Sequence, residues 1–354
     1  MTPRQNLIAA LEGGTPERTP FSIYSWFFTH PQLSFDDWRP LFEQGLALCH
    51  HCSTVVLREH GVTTTVEQRI EGDRRYTVTR KETPLGTLRH VTLNSVSAPR
   101  LIEWTCEEWI KEPQDYTIRR WIVEHTEPVP VYDLFGQMEE QAGDYGVTIV
   151  GGGSGRSPAM SIMVDYAGME RFALDLASGV EELFALYEAE KRLFLETTRL
   201  VAAGPGRFVK WNENLTVSML GPRWYRRLLL PVYQEAVPIL EAGGKRVMVH
   251  YDGGLRAIAD QIAQSPFHIL QSLTEPPEGD MWLDECRTAW PDKSFWVNIN
   301  LELYDLPPAQ LREAVIAMRQ RAGKRALAFE ISEDVPANWA QAVPVILGTL
   351  AELG

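Results

Sequence analysis

Two side chains in the middle of the chain, His250 and Asp252, are able to bind a metal ion or to exchange protons. They follow residues 247–249, an apolar run with two valines that predicts a strand buried on both faces. Gly253 and Gly254 then lead into a helical pattern, which predicts one strand–turn–helix unit. Because side chains two residues apart on a strand point to the same side, we expect His250 and Asp252 to face one site. A second interpretation, in which they only hydrogen-bond to each other or to the loop, stays open.

Further polar residues stand where other predicted strands end, and strands and helices alternate through most of the chain. This alternation predicts a parallel sheet, and the number of units predicts a (β/α)8 TIM barrel that forms a single domain over residues 1–354. Active sites of such barrels lie at the carboxyl ends of the strands. The acid/base candidates there are Glu213, Asp252 and Glu275, and the candidates for substrate binding are Tyr24, Trp26, Asn212, Tyr251 and Asn298. Core packing is the alternative role for the aromatic residues near Trp26.

Residues 61–100 have a different pattern. They alternate polar and apolar positions, are rich in Thr, Val and Tyr, and contain turn signals at 71–73 and 84–86. These features predict antiparallel β-hairpins. We expect this segment to be an insertion laid over one end of the barrel.

Cysteine and histidine residues at positions 49–52 form the sequence Cys-His-His-Cys, but their spacing disfavours a metal site. Adjacent side chains point in different directions on a helix or a strand, so the four are not expected to converge on one ion. We interpret residues 41–50 as the end of a helix that leads into a buried strand near residues 54–57. Four cysteines in 354 residues do not predict a disulfide framework.

The overall charge argues against two classes of partner. The formal net charge is −13, whereas nucleic acid and anionic membrane surfaces both require a basic surface. No apolar run reaches the roughly 20 residues that span a bilayer, and the N-terminus lacks the apolar core of a signal peptide. We therefore expect no nucleic-acid partner, no membrane partner and a cytoplasmic location.

The order of several short motifs resembles that of the uroporphyrinogen decarboxylase superfamily, which includes cobalamin-linked methyltransferases. The resemblance covers nearly the whole chain and is carried by residues 4–20, 83–88 and 110–116 and by the run from 221 through 253. It implies a (β/α)8 barrel with its site at the carboxyl ends of the strands.

The resemblance is closer to the methyltransferase branch than to the decarboxylase itself. The decarboxylase carries an arginine-rich segment after its first strand, whereas residues 24–28 here contain no arginine. A substrate with many carboxylates would find little charge pairing there. In the methyltransferase branch a His-x-Cys pair and a later Cys bind zinc. Here His250 matches the histidine, Asp252 stands in place of the first cysteine, and Glu333 lies near the position of the later one.

The resemblance thus implies a metal-dependent methyltransferase of corrinoid type that acts on a small methylated donor, and the aromatic residues near Trp26 suit a methoxylated aromatic donor. Zinc would be held by His250 with Asp252, Glu330 or Glu333, and a partner protein would carry the corrinoid. Helix capping is the alternative role for Glu330 and Glu333. Two other functions stay open: a metal-free decarboxylase-like lyase with Asp252 or Glu213 as general acid/base, and a non-catalytic barrel that binds a small molecule.

Overall fold

Eight parallel strands close into a barrel in the computed structural model, which describes residues 1–29, 34–98, 103–152, 155–215, 217–331 and 335–354. Strands are numbered β1 to β14 along the chain. Around the barrel they are β1 (Phe21–Tyr24), β2 (Leu46–Ser53), β9 (Gly146–Gly151), β10 (Phe208–Trp211), β11 (Arg246–His250), β12 (Ile269–Leu273), β13 (Ser294–Ile299) and β14 (Leu327–Ile331). Every neighbouring pair is parallel, and β14 pairs with β1 to close the ring. The predicted (β/α)8 fold is confirmed.

Helices follow the barrel strands and cover their outer faces. They are α1 (Pro3–Leu11), α2 (Phe35–Glu43), α3 (Pro113–Glu124), α4 (Asp133–Ala142), α5 (Pro158–Met160), α6 (Met169–Ser178), α7 (Glu181–Ala203), α8 (Val217–Trp224), α9 (Leu230–Ala242), α10 (Ala259–Gln264), α11 (Leu283–Ala289), α12 (Leu301–Tyr304), α13 (Pro308–Ala322) and α14 (Trp339–Leu353). Every residue of β1, β10, β12, β13 and β14 is buried, as expected for strands enclosed on both faces. Within the described ranges, no helix combines the length and the apolar character needed to cross a membrane.

The predicted β insertion is present and follows β2. Strand β3 (Val55–Glu59) pairs antiparallel with β8 (Thr126–Pro130). Between them, β4 (Thr63–Glu71), β5 (Arg74–Thr83), β6 (Gly86–Ser95) and β7 (Trp104–Glu107) form an antiparallel four-stranded sheet, which therefore extends beyond the predicted limit at residue 100. Leu88 of this sheet packs on Ile118 and Ile122 of α3. The apolar contact anchors one end of the sheet to the helices around the barrel.

The helix expected at residues 41–50 was wrong. Helix α2 ends at Glu43, and β2 begins at Leu46 and pairs with both β1 and β9. Residues 46–49 are an uninterrupted buried run, and so short a run fits either a helix or a fully buried strand; the pairing between β1 and β9 decides for the strand. As a result His50 and His51 point to opposite faces of the barrel wall.

Candidate active site

Polar side chains from nearly all barrel strands meet inside the barrel, towards the carboxyl ends of the strands. Alternation along each strand determines which side chains face inward. On β10, for example, Lys210 stands between Val209 and Trp211. We refer to six inward-facing side chains as the barrel cluster: Tyr24, His51, Lys210, His250, Gln271 and Glu330.

Glu330 of β14 lies at the centre of the barrel cluster and is 1% exposed. The Tyr24 hydroxyl donates a hydrogen bond to its Oε2 at 2.5 Å, and the Gln271 side-chain amide donates to its Oε1 at 2.5 Å. Burial raises the pKa of this carboxyl, against the opposing influence of the Lys210 charge and of these hydrogen bonds. A carboxyl whose pKa is raised in this way can carry a proton nearer to neutral pH than an exposed one can.

Gln271 fixes the protonation pattern of the neighbouring histidine. Its Nε2 donates to Glu330, so its Oε1 is the atom that lies 2.8 Å from Nδ1 of His250. An amide oxygen only accepts hydrogen bonds, and Nδ1 of His250 must therefore carry a proton. This contact orients the imidazole through its Nδ1.

His51 and Lys210 pack against the ring of Tyr24. The His51 ring stacks on it with centroids 4.9 Å apart, and Lys210 Nζ lies 4.9 Å from the ring centroid. Burial lowers the pKa of His51 well below its usual value, and the charges of Lys210 and His250 act in the same direction. His51 is therefore neutral, and in the part of the chain that the structure describes its Nε2 is buried without a hydrogen-bond partner.

A cavity of about 340 Å³ opens beside the barrel cluster, a volume suited to a small molecule. Its lining includes polar groups from the ends of β2, β9 and β10, namely His51, Ser53, Gly151, Gly155, Lys210 and Asn212. Lys210 is 6% exposed and supplies the positive charge in this lining. The cavity can thus accept a small ligand with an oxyanion.

Four of the five residues expected to bind substrate lie at or near this region. Tyr24 belongs to the barrel cluster, Asn212 lines the cavity, and Trp26 stacks on Tyr24 with centroids 6.1 Å apart. The amide oxygen of Asn298 lies 3.4 Å from the hydroxyl of Ser272, and Ser272 is the residue that follows Gln271 in the sequence. Tyr251 is not brought to the cavity. Its side chain is fully buried and its hydroxyl donates to the hydroxyl of Tyr233 in α9, 3.0 Å away.

Glu213 is buried, but it contacts residues of the surrounding helical layer and not the barrel cluster. It accepts hydrogen bonds from the backbone N–H and the hydroxyl of Ser157, which precedes α5, and it also contacts the Tyr233 hydroxyl. Burial raises its pKa to about 7, and the bonds from Ser157 limit the rise. These contacts fasten the loop after β9 to the end of β10, a structural role.

Glu275 likewise faces away from the barrel cluster. It forms an ion pair with Arg321 of α13, with 2.7 Å between its Oε1 and the arginine Nε, and it accepts a hydrogen bond from the backbone N–H of Leu283. Its side chain is 4% exposed, whereas that of Arg321 is 30% exposed. The contacts tie the end of β12 to the outer helices.

We expect Glu275→Gln to lower the free energy of unfolding by about 1–3 kcal/mol, because Arg321 would lose its carboxylate partner at a site where Glu275 is buried. Denaturant unfolding would measure the change. Glu352→Gln is a matched control, since Glu352 pairs with Arg312 at the surface, where an ion pair contributes less. Equal effects of the two substitutions would contradict the structural role of Glu275.

The expected zinc ligands are only partly brought together. His250 and Glu330 both hydrogen-bond to Gln271, whereas Asp252 lies half-buried beyond His250, the last residue of β11. Because Asp252 lies outside the strand, the alternation of side chains along β11 does not place it on the same face as His250. Glu333 lies outside the described residues. Among the residues that are described, no three His, Cys, Asp or Glu side chains are grouped so as to hold a metal ion, and the zinc site stays a prediction.

Sequence reasoning missed three members of the barrel cluster: His51, Lys210 and Gln271. Lys210 interrupts an otherwise apolar buried strand, and Gln271 stands with Ser272 in a buried strand that is apolar at its other positions, which is the available signal. His51 belongs to the Cys-His-His-Cys sequence, and the helix predicted over residues 41–50 does not place it in a barrel strand. Placing residues 46–53 in a strand would have identified it as an inward-facing side chain.

Comparisons with known proteins leave the family open. No protein-family model matches the chain, and no curated protein matches it. A D-psicose 3-epimerase structure is 11% identical over 63% of this chain and 83% of that chain, with a TM-score of 0.39. A B12-independent methionine synthase from Shewanella sp. W3-18-1 is 11% identical over 91% and 85%, with a TM-score of 0.44. A GH5 xyloglucanase from Bacteroides ovatus is 10% identical over 85% and 95%, with a TM-score of 0.32.

Likenesses of this size support no functional argument. The (β/α)8 fold rests on the strand order itself, and membership of the uroporphyrinogen decarboxylase superfamily stays a prediction.

Proposed function

We propose that the protein is a lyase that acts on a small carboxylate-bearing molecule by general acid/base chemistry without a metal. One observation carries this proposal: a buried cation that lines the cavity, Lys210, and a buried carboxyl of raised pKa, Glu330, both contact Tyr24 near the carboxyl ends of the strands. Perturbed ionisable groups that converge beside a cavity are the usual mark of an active site.

Lys210 is the group that would bind or stabilise negative charge. It lines the cavity, and its charge lowers the pKa of both Glu330 and His51, so it lies within electrostatic reach of both. Asn212, also in the lining, adds a side-chain amide. An oxyanion that develops on the substrate as a carbon–carbon bond breaks would be stabilised by the ammonium group in this low-dielectric setting.

Glu330 is the group that would supply the proton. In a decarboxylase-like reaction the bond to the departing carboxylate breaks, its electron pair stays on the substrate carbon, and that carbon takes up a proton. The raised pKa of Glu330 favours the protonated form that such a donor needs. Tyr24 and Gln271 hold the carboxyl in place through both of its oxygens.

The proposal predicts turnover that does not depend on a metal. A panel of small carboxylic acids with a carbonyl group β to the carboxylate, including malonate, acetoacetate and oxaloacetate, would be incubated with the protein, because the electron pair left on carbon can then form an enolate oxyanion. 13C NMR would detect released carbon dioxide or bicarbonate above the spontaneous rate without protein. We expect turnover of at least one acid at an unchanged rate in the presence of EDTA. Loss of all turnover on chelation, with recovery on addition of zinc, would contradict the proposal.

Zinc-dependent methyl transfer of the corrinoid type is the second candidate. It is favoured by the hydrogen bonds that His250 and Glu330 both make with the Gln271 side chain, because these bonds bring two of the expected ligands close together inside the barrel. Of the remaining expected ligands, Asp252 follows the end of β11, and Glu333 lies outside the described residues.

Metal analysis separates the two candidates. We expect purified protein, incubated with zinc and desalted, to retain zinc well below one equivalent per chain, because the described residues bring together too few ligands. Elemental analysis of the wild type and of His250→Ala would measure this. One equivalent in the wild type that is lost in His250→Ala would favour the methyltransferase.

A further inference from the structure

Strand β4 forms an unusually exposed edge of the four-stranded sheet. All nine of its residues are exposed, including Val66 (60%) and Ile70 (63%). In the described part of the chain, no strand pairs with the outer edge of β4. The opposite edge strand, β7, has only four residues and pairs irregularly with β6. Long edge strands with exposed apolar side chains are templates for pairing with another chain.

The hairpin that follows β4 indicates which of its main-chain groups point outward. Glu71 is opposite Arg74 across a two-residue turn, and residues that flank such a turn form a hydrogen-bonded pair. Because this pattern alternates, the main-chain groups of Glu67, Arg69 and Glu71 face β5. Those of Val66, Gln68 and Ile70 face away from the sheet and can pair with an added strand.

We propose that β4 pairs antiparallel with β4 of a second copy of this chain, about a two-fold axis at Gln68. In this register Val66 lies opposite Ile70 of the second copy, so the two most exposed apolar side chains of the strand cover each other. Glu67 lies opposite Arg69, and the symmetry of the dimer makes each of these contacts twice. The two sheets become one eight-stranded sheet.

The charges of β4 select this register over its neighbours. Moving the axis to residue 67 places Glu67 opposite itself. Moving it to residue 69 places Arg69 opposite itself and Glu67 opposite Glu71. Both shifts keep the outward main-chain groups paired, but they place like charges directly opposite each other, which is destabilising. Of the registers centred on residues 67, 68 and 69, only the one centred on Gln68 places opposite charges across from each other.

Charge elsewhere does not oppose the contact. Residues 63–95 contain six Lys and Arg residues against four Asp and Glu residues, although the whole chain carries −13. The sheet is therefore a region where two copies can approach without the repulsion expected from the net charge. Glu67 and Arg69 have partners in their own chain, Arg80 at 2.9 Å and Glu71 at 3.1 Å, but these pairs are exposed and contribute little.

Charge reversal of the full-length protein tests this pairing independently of any catalytic activity. Sedimentation of the wild type over a range of concentrations should show a monomer–dimer equilibrium. Glu67→Arg and Arg69→Glu should each weaken dimerisation at least ten-fold, because each places like charges opposite one another. An equimolar mixture of the two variants should form a heterodimer with near wild-type affinity, since every contact again joins opposite charges.

Glu352→Arg is the matched control, because Glu352 is as exposed as Glu67 (62% against 66%) and also pairs with an arginine, but it lies in α14. This control should dimerise as the wild type does. A wild type that stays monomeric, single variants that still dimerise, or a mixture that fails to dimerise would overturn the proposal. The mixture also shows that each variant remains folded.

Discussion

Glu330→Gln is expected to reduce turnover of the carboxylate substrate by about 10²- to 10⁴-fold, the usual contribution of a positioned general acid. Glutamine preserves the shape of the side chain and can still accept the hydrogen bond that Tyr24 now donates to Glu330. It cannot carry the proton. Substrate affinity should therefore change little, and steady-state kinetics combined with calorimetric binding would separate the two effects.

The pH dependence provides a further check on Glu330. A general acid is active below its pKa, and burial raises the pKa of Glu330, so wild-type turnover should fall as the pH rises through that raised value. This decrease in turnover with rising pH should be missing from the residual activity of Glu330→Gln. Glu275→Gln is the control carboxyl, since Glu275 is buried but pairs with Arg321 away from the barrel cluster. If Glu275→Gln lost as much turnover as Glu330→Gln, the assignment of the acid would be wrong.

Lys210→Met is expected to weaken binding of the carboxylate substrate by at least about 30-fold, because losing one partner of a buried charge pair costs roughly 2 kcal/mol or more. Methionine preserves much of the apolar stem that packs beside the Tyr24 ring. Isothermal titration calorimetry with the ionised acid and with its neutral amide would measure the effect. The neutral amide should bind the wild type and Lys210→Met with similar affinity.

A second readout of Lys210→Met does not depend on turnover. The Lys210 charge lowers the pKa of His51, so its removal should raise that pKa, although burial, the larger cause, will still hold it below the usual value. NMR titration of the His51 ring would detect the shift. Lys191→Met is the control, because Lys191 pairs with Glu235 outside the barrel cluster. Unchanged binding and an unchanged His51 titration in Lys210→Met would remove Lys210 from the site.

Much of the architecture could be predicted because it depends on local patterns. The apolar run before His250 and the polar residues after it determine a strand and its loop, and the alternation at residues 61–100 determines hairpins. The repeated strand–helix order then leaves few topologies other than a closed barrel. The short run at residues 46–49 fits both structures and was assigned wrongly, and the strand expected to be buried near residues 54–57 is β3, which is exposed at residues 56–58.

The candidate site could be predicted only in part, because whether a side chain faces into the barrel depends on where its strand ends. His250 and Glu330 fall within their strands and point into the barrel, whereas Asp252 follows the end of β11. Glu213, Tyr251 and Glu275 follow strands too, but each pairs with a residue of the outer layer: Ser157, Tyr233 and Arg321. Those partners are far away in sequence and leave no local signal.

The sequence by itself therefore determined the barrel, the insertion and the set of polar residues near the strand ends, since these follow from periodicity and composition. Only the tertiary structure decided which of those residues meet. Gln271 and Tyr24 are 247 positions apart, yet they share a hydrogen bond because barrel closure brings β12 and β1 together around Glu330. Closure is a property of all eight strands at once, so the convergence of Lys210 and Glu330 on Tyr24 is invisible in any single segment.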